Sequence, residues 1–320
     1  MLKKDLRIIF MGTPEFAVES LKTLVEGGYN IVAVITMPDK PSGRGHKMQF
    51  SAVKEYALSQ NLPILQPEKL KNEAFLEELK SYQADLQIVV AFRMLPEAVW
   101  NMPKFGTFNL HASLLPQYRG AAPINWAIIN GEKETGATTF FLTHEIDTGK
   151  IILQKKIKIE AADNAETIHD NLMVMGAKMV TETVDLLLDD KINAIPQDKF
   201  FQSETELKSA PKIFKESCEL KFDLLVEQAY NFIRGLSPYP TAWINIHFPQ
   251  SRGFGTEPVI LKVFKIIPEC TNHNYSIGEL IIDGKKTAKI ALKDGFLHLL
   301  EIQAPGKKRM KIGDFLNGLK

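Results

Sequence analysis

The order of apolar strands and helix in the first 36 residues constrains the fold more than any other feature. Residues 6–11, LRIIFM, form an apolar run suited to a strand that is buried on both faces. Gly12, Thr13 and Pro14 then supply a turn, a helix cap and a favoured first helical residue, and residues 30–36, NIVAVIT, form a second buried strand. Strand, helix and strand in this order predict a parallel sheet with a right-handed crossover. We therefore expect a Rossmann-like domain, but one that lacks the G-x-G-x-x-G motif of dinucleotide sites.

The later chain continues this α/β pattern and then changes character. Residues 189–212 mix charges with Pro196 and Pro211, lack a clear period, and are interpreted as a linker. Several short alternating strands between residues 243 and 303 predict a small β-barrel, similar in kind to the oligonucleotide-binding (OB) fold. The predicted organisation is a mostly parallel, Rossmann-like α/β domain at 1–189, a linker at 190–212 and a C-terminal β-barrel domain at 213–320.

Composition and cysteine content limit which class of protein and which kind of site we expect. Hydrophobic residues make up 45% of the chain and charged residues 24%, which is ordinary for a soluble globular protein. No run of about 18 apolar residues and no signal-peptide pattern occur, so we expect a cytoplasmic protein without membrane contact. Cys218 and Cys270 are too few for a disulfide framework, and the seven histidines show no zinc-site spacing. No metal is therefore expected.

The net charge of +1 hides an asymmetry between the two parts of the chain. Residues 1–206 carry 22 Lys and Arg against 27 Asp and Glu, a net of −5. Residues 207–320 carry 17 against 11, a net of +6. A basic second part favours a polyanionic partner, and a solvated basic face that binds nothing is the alternative.

Residues 37–50, MPDKPSGRGHKMQF, form a basic stretch between two predicted elements. Two Pro, two Gly and four basic or histidine side chains argue against regular structure, so we expect a long loop. Long loops in compact domains are usually functional or disordered. Arg44 and Lys47 would then be available to a polyanion, and a solvated loop without a ligand is the competing interpretation.

The chemistry of the chain centres on residues 106–120, GTFNLHASLLPQYRG. Alternation at 107–110 predicts a short strand, so Asn109 and His111 lie two residues apart and on the same side of it. An amide and an imidazole in this arrangement can converge on one carbonyl oxygen, as acyl transfer requires. The alternative is that Asn109 and His111 are ordinary polar residues whose hydrogen bonds are satisfied within the protein. Asp147, within THEIDTGK, is interpreted as either a turn residue or a catalytic carboxylate.

Over nearly its whole length the chain resembles the methionyl-tRNA formyltransferase family. The resemblance rests on IIFMGTPEFA near the start, PDKPSGRGHK in the basic stretch and NLHASLLPQYRGAAPI at the candidate site, with ETGATTFFLTHEIDTGKII and APGKKRM later. The site motif by itself is shared by other formyltetrahydrofolate-using transferases, including the glycinamide ribonucleotide and sugar-nucleotide enzymes. The basic stretch and the second domain distinguish the tRNA family from these.

The resemblance implies a reaction and a set of residues. It implies that 10-formyltetrahydrofolate donates a formyl group to the α-amino group of methionine on initiator tRNA, and we expect the enzyme to be a monomer. Asn109, His111 and Asp147 would be catalytic. The residues it assigns to folate are Ser113, Leu114, Leu115 and Pro116, and those we expect to contact tRNA are Arg44, Lys47, Lys307, Lys308 and Arg309. Asp147 would orient His111, keep it protonated, or take a proton through water.

The sequence departs from the family pattern at two positions, and two other functions compete with the one that the resemblance implies. Arg93, within AFRMLP at 91–96, stands where the family more often has a small residue, and Ala112 stands where glycine is common. The folate side of the site is therefore expected to differ in shape. The rival functions are a formyltransferase for a small amine, such as an amino sugar nucleotide, and an RNA-binding module with an inactive site.

Overall fold

The computed structural model describes residues 1–42, 47–248, 257–284 and 286–318, apart from the side chains of Ser42 and Lys47. The chain divides into two compact units. The first contains Met1–Gly120, Gly136–Ile157 and His169–Ser209, and the second contains Ala121–Thr135, Lys158–Ile168 and Ala210–Lys320. Within the described segments, no helix combines the length and the hydropathy that a membrane span requires.

A seven-stranded sheet organises the first unit. Its strands, in the order in which they lie side by side, are β10 (Ile151–Lys158), β9 (Glu134–Phe141), β7 (Thr107–His111), β6 (Leu86–Val90), β1 (Arg7–Gly12), β2 (Asn30–Ile35) and β5 (Ile64–Leu65). The strands from β7 to β5 run parallel, and β9 is antiparallel to β7. This sheet confirms the mostly parallel, Rossmann-like prediction. Because the carboxyl ends of parallel strands meet at one edge, the loops after β1, β6 and β7 share that edge.

The helices of the first unit begin where the sequence supplies local signals. They are α1 (Glu15–Glu26), α2 (Ala52–Ser59), α3 (Glu73–Ser81), α4 (Glu97–Trp100) and α6 (Ala165–Leu188). The Ser51 hydroxyl accepts a hydrogen bond from Lys54 N, and the Asn72 side chain accepts one from Phe75 N. This second cap explains why α3 begins at Glu73 and not at Glu68, where apolar spacing alone predicts its start.

One face of the sheet packs against α3 and α4 in a core of buried aliphatic and aromatic side chains. Ile9 and Met11 of β1, Ile35 of β2 and Phe75 and Leu79 of α3 are all at most 6% exposed. Burying a side chain of this size contributes about 1.5–3 kcal/mol. The sheet edge beyond this core is therefore held on a rigid base.

The basic stretch at 37–50 contains regular structure, and the prediction of a loop without it is wrong. β3 (Lys40–Ser42) and β4 (Lys47–Gln49) pair antiparallel, with Lys40 opposite Gln49 and Pro41 opposite Met48. The sequence pattern failed here because the pairing strands are only three residues long and β3 contains Pro41, which argues against a strand.

The second unit is built on an antiparallel sheet in the order β12, β13, β16, β15 and β14, with β17 paired to β16. This sheet confirms the predicted C-terminal β domain. Its core contains Ile244, Val263, Ile290, Leu299 and Leu316, each at most 2% exposed. The strands are β12 (Ala242–Ile246), β13 (Val259–Cys270), β14 (Leu280–Asp283), β15 (Thr287–Leu292), β16 (Gly295–Gln303) and β17 (Met310–Lys311).

Two helices of this unit lie very close to each other. α5 (Pro123–Ile129) meets α7 (Val226–Gly235) where the Asn125 amide donates to Gly235 O at 2.7 Å. A Cβ at Gly235 would lie 2.7 Å from Ile129 Cγ1, so only glycine allows this approach. The other α-helix of this unit is α8 (Ile312–Asn317). Two further strands of two residues each are β8 (Arg119–Gly120), which lies in the first unit, and β11 (Ser209–Ala210).

Candidate active site

β7 carries two of the three predicted catalytic residues at the carboxyl edge of the sheet. Phe108 and Leu110 point into the core and are at most 3% exposed, so Asn109 and His111 occupy the other side of the strand. Asn109 lies opposite Val89 of β6 and Phe140 of β9, and His111 is the last residue of the strand. The period of two in the sequence therefore places an amide and an imidazole on one face.

His111 is 7% exposed, and both of its ring nitrogens face protein groups. Nε2 lies 2.9 Å from Tyr118 O. Because a carbonyl oxygen only accepts, Nε2 carries the hydrogen of this bond, and Nδ1 is unprotonated in the neutral ring. Nδ1 lies 3.9 Å from Asp147 Oδ2. The Phe140 ring meets the imidazole edge to face at 6.5 Å, which fixes its plane.

Asp147 reaches His111 from the loop between β9 and β10. Its backbone adopts φ +56°, in the left-handed region that non-glycine residues rarely occupy. Oδ2 accepts a hydrogen bond from Gly120 N at 2.9 Å. The loop also lies against β9, since a Cβ on Gly149 would stand 1.6 Å from Phe141 O. Backbone strain and close packing in one loop are typical of a functional site.

The Asn109 amide has capacity left for a ligand. It is half-buried, and among the described residues it makes no hydrogen bond through its side chain. Buried and half-buried amides in proteins are usually paired. An unpaired amide on the same strand face as His111 can donate to an oxygen that develops negative charge.

The segment Ser113–Pro116 follows β7 and is held by β9. Ser113 is fully buried, and its hydroxyl donates to Gln117 O at 2.6 Å, so its side chain shapes the loop. Thr138 Oγ1 donates to Ser113 O at 2.7 Å and accepts from Leu115 N at 3.2 Å. Leu115 and Pro116 are buried, and Leu114 is half-buried. These contacts fix the segment beside the end of β7.

Sequence reasoning missed the residues that hold these loops in place. Thr138 lies inside β9, and Gln154 of β10 donates to Leu115 O at 2.9 Å and to Thr138 Oγ1 at 3.0 Å. Gln197 is 3% exposed and donates to Asp147 O at 2.8 Å, although it lies in the segment interpreted as a linker. A single Gln in a polar stretch carries no sequence signal, because only the fold brings it to a loop 50 residues away.

Arg93, one of the two departures from the family pattern, bonds to backbone carbonyls of the loop after β5. Nη1 donates to Glu68 O at 2.8 Å, and Nη2 donates to Pro67 O. Burial lowers the pKa of the guanidinium, and Nε has no hydrogen-bond partner among the described residues. Arg93 therefore ties the loop after β6 to the loop after β5.

The structure describes the residues predicted to contact tRNA to different extents. Arg44 lies outside the described residues, and Lys47 is described only as backbone in β4. Lys307, Lys308 and Arg309 are exposed in the second unit. Arg309 pairs with Glu301 at 2.7 Å and lies 4.5 Å from the Phe264 ring centre, so part of its charge is already balanced.

Comparison with known families and relatives identifies the group to which this site belongs. The formyl transferase profile matches residues 6–184, and the profile of the formyl transferase C-terminal domain matches residues 212–320. The methionyl-tRNA formyltransferase of Parabacteroides distasonis is 61% identical, covering 100% of this chain and 98% of that protein. The enzyme of Bacteroides thetaiotaomicron is 58% identical over the same shares.

Solved structures show the same fold at low identity. HypX from Aquifex aeolicus, in complex with tetrahydrofolic acid, has a TM-score of 0.65 at 17% identity and covers 98% of this chain and 48% of its own. The sugar 3N-formyl transferase WlaRD has a TM-score of 0.63 at 19% identity and covers 95% of this chain and 99% of its own. The chain thus belongs to the formyl transferase family, and its full-length relatives place it among the methionyl-tRNA formyltransferases.

Proposed function

We propose that the protein transfers the formyl group of 10-formyltetrahydrofolate to the α-amino group of methionyl initiator tRNA, for translation initiation in the cytoplasm. The observation that carries the proposal is the Asn109 amide, which has no hydrogen-bond partner among the described residues and lies on the strand face of His111, with Asp147 beside the imidazole. Relatives at 58–61% identity over the whole chain bear the name of this activity, which supports tRNA as the acceptor.

The folate supplies the formyl carbonyl that the amine attacks, and the residues present fit a carbonyl of this kind. Negative charge develops on the formyl oxygen during attack, and preorganised donors lower the barrier for it. The Asn109 Nδ2 hydrogens are unengaged by described residues and can serve as such donors. Ser113, Leu114, Leu115 and Pro116 are proposed to contact the folate, through the surface of the segment that Thr138 holds.

His111 cannot donate Nε2–H to the formyl oxygen while that hydrogen is given to Tyr118 O. Donation from Nδ1 requires the protonated ring, and the adjacent Asp147 carboxylate attracts the charge of that form. The α-amino group attacks as a neutral amine. The ammonium that forms on attack would pass its proton to a neutral Nδ1 or to the Asp147 carboxylate, directly or through water, and a proton would reach folate N10 as its bond to the formyl carbon breaks. The described contacts therefore support a mechanism in which His111 and Asp147 handle the proton together and Asn109 stabilises the oxygen.

The basic residues are proposed to bind the tRNA backbone. Lys307 and Lys308 are exposed in the second unit, and Arg44 and Lys47 belong to the stretch that resembles the family's tRNA loop. Contacts to several phosphates release counterions, so tRNA binding would weaken steeply with salt. A small amine substrate would show no such dependence.

One assay tests the proposal. Purified protein with 10-formyltetrahydrofolate is given methionyl initiator tRNA or an amino sugar nucleotide, and formyl transfer to each is measured at several salt concentrations. We expect transfer to the tRNA alone, and loss of nearly all of it in His111→Ala. His169→Ala, which changes a half-buried histidine of α6 paired with Asp170, is the control. Absence of transfer to any aminoacyl-tRNA, with transfer to the sugar nucleotide, would overturn the proposal.

A further inference from the structure

Gln197 is the first residue of a short 3₁₀ turn, Gln197–Phe200, and it is almost completely buried in the first unit. Its amide nitrogen donates to Asp147 O at 2.8 Å and to Gly149 O at 2.9 Å. Its amide oxygen accepts from Arg119 Nε at 3.1 Å and Nη2 at 2.7 Å. Both hydrogens and both lone pairs of the amide are therefore used.

The chemistry of the partners fixes which way this amide points. Two carbonyls can only accept, and the guanidinium can only donate, so a flipped amide would lose all four bonds. A glutamine is thus the residue type that can join these groups at once. No other side chain of the same length presents two donors on one side and an acceptor on the other.

These bonds hold the turn that contains Asp147, on which the proposed chemistry depends. Asp147 and Gly149 are the first and last residues of a three-residue turn, and the Gln197 amide donates a hydrogen bond to each of their carbonyls. Asp147 is held at φ +56°, a conformation that a non-glycine residue leaves when its surroundings allow. Its Oδ2 must stay near Gly120 N and His111 Nδ1 for the three groups to act together.

We propose that Gln197 is a positioning residue that holds the Asp147 turn, through the carbonyls of Asp147 and Gly149, so that the Asp147 carboxylate faces His111. This inference rests on the proposed function for its kinetic consequence. Gln197 touches no reacting atom in this scheme. It acts through Asp147, and Arg119 in turn fixes the orientation of the Gln197 amide.

Gln197→Glu tests the bonds to the carbonyls of Asp147 and Gly149 separately from the bonds to Arg119. The glutamate keeps the shape and its bonds to Arg119, but its oxygen faces the two carbonyls where the amide donated. We expect kcat to fall by about tenfold to a hundredfold, since a displacement near 1 Å costs this much. KM for tRNA and for folate should change by less than about twofold, because no substrate contact is lost.

Amide hydrogen exchange at Gly120 gives a readout that does not depend on activity. Gly120 N–H is protected by its bond to Asp147 Oδ2. In Gln197→Glu we expect its exchange to accelerate by about tenfold or more, as the Asp147 turn opens locally. Gln197→Met removes all four bonds without adding charge, and it should show the same two effects if the glutamate variant fails to fold.

Gln117→Glu is the matched control. Gln117 also joins the segment after α6 to the loop after β7, through Glu206 O at 3.1 Å and Lys208 N at 2.8 Å, but it does not touch the Asp147 turn. It should leave kcat and Gly120 exchange within about threefold of the wild type. If Gln117→Glu loses as much as Gln197→Glu, the effect comes from docking of the segment and the inference is overturned.

The two proposals fail in different ways. Unchanged kcat and unchanged Gly120 exchange in both Gln197 variants overturn the positioning role while wild-type transfer to tRNA stands. Absence of wild-type transfer overturns the proposed function, and the exchange measurement then decides whether Gln197 holds the turn.

Discussion

His111 Nδ1 lies 3.9 Å from Asp147 Oδ2, while Nε2 of the same ring is bonded to the Tyr118 carbonyl. The imidazole therefore presents its acceptor nitrogen to the carboxylate when it is neutral, and a hydrogen when it is protonated. Asp147 is in turn held by Gly120 N and Gln197. In the proposed mechanism, His111 and Asp147 therefore transfer the proton, and the Asn109 amide stabilises the oxygen.

Asn109→Ala should reduce kcat by about 10²- to 10³-fold, the usual effect of losing one oxyanion donor. Its melting temperature should stay close to that of the wild type, because the amide has no hydrogen-bond partner among the described residues. Steady-state formylation of methionyl-tRNA and thermal unfolding measure the two effects. Asn101→Ala, at an exposed residue after α4, is the control. A kcat within threefold of wild type would remove Asn109 from the mechanism.

Asp147→Asn keeps the shape of the side chain and an oxygen for Gly120 N, but removes the negative charge beside His111. We expect the single-turnover rate to fall by about 10²- to 10⁴-fold, as for loss of a group that takes part in proton transfer. Asp190→Asn is the matched control, because Asp190 is also at positive φ, near +57°, but follows α6 in an exposed position. Equal losses in both variants would show that the loss does not come from removing the charge beside His111.

Thr138→Val should destabilise the protein by about 1–3 kcal/mol and raise KM for folate. The hydroxyl of Thr138 bonds Ser113 O, Leu115 N and Gln154 Nε2, and valine leaves these buried groups without it. Urea unfolding and folate titration measure the two effects. Thr139→Val, also buried in β9 but bonded to Thr183, should lower stability without changing KM for folate. A raised folate KM in Thr139→Val would contradict the assignment of the Ser113–Pro116 segment.

Lys307→Gln combined with Lys308→Gln should raise KM for tRNA and flatten its dependence on salt. Each phosphate contact contributes about 0.7–0.9 to the slope of log affinity against log salt, so two contacts contribute about 1.5. Arg309→Gln should change the slope less, since Glu301 already balances its charge. Lys71→Gln, at an exposed residue of the first unit, is the control. An unchanged slope in the double variant would show that these lysines do not meet phosphate.

Local patterns predicted the elements that carry the site. The apolar run before Gly12 was recognisable because buried parallel strands are short and continuously apolar, and the strand ending at His111 was recognisable by its alternation. The spacing of Asn109 and His111 already placed both on one face. The β3–β4 ribbon was missed because each of its strands has only three residues, which is too few to show an alternating pattern.

The amino-acid sequence by itself determined the α/β architecture, the antiparallel second domain and the types of side chain at the candidate site. Hydrophobic period, caps and turn residues act between near neighbours, so the chain contains that information locally. Only the tertiary structure decided that Nε2 of His111 bonds to Tyr118 O, that the Asn109 amide has no partner among the described residues, and that Gln197 donates to the carbonyls of Asp147 and Gly149. Such contacts join residues far apart in sequence, and a hydrogen bond exists only once the fold has brought donor and acceptor within about 3 Å.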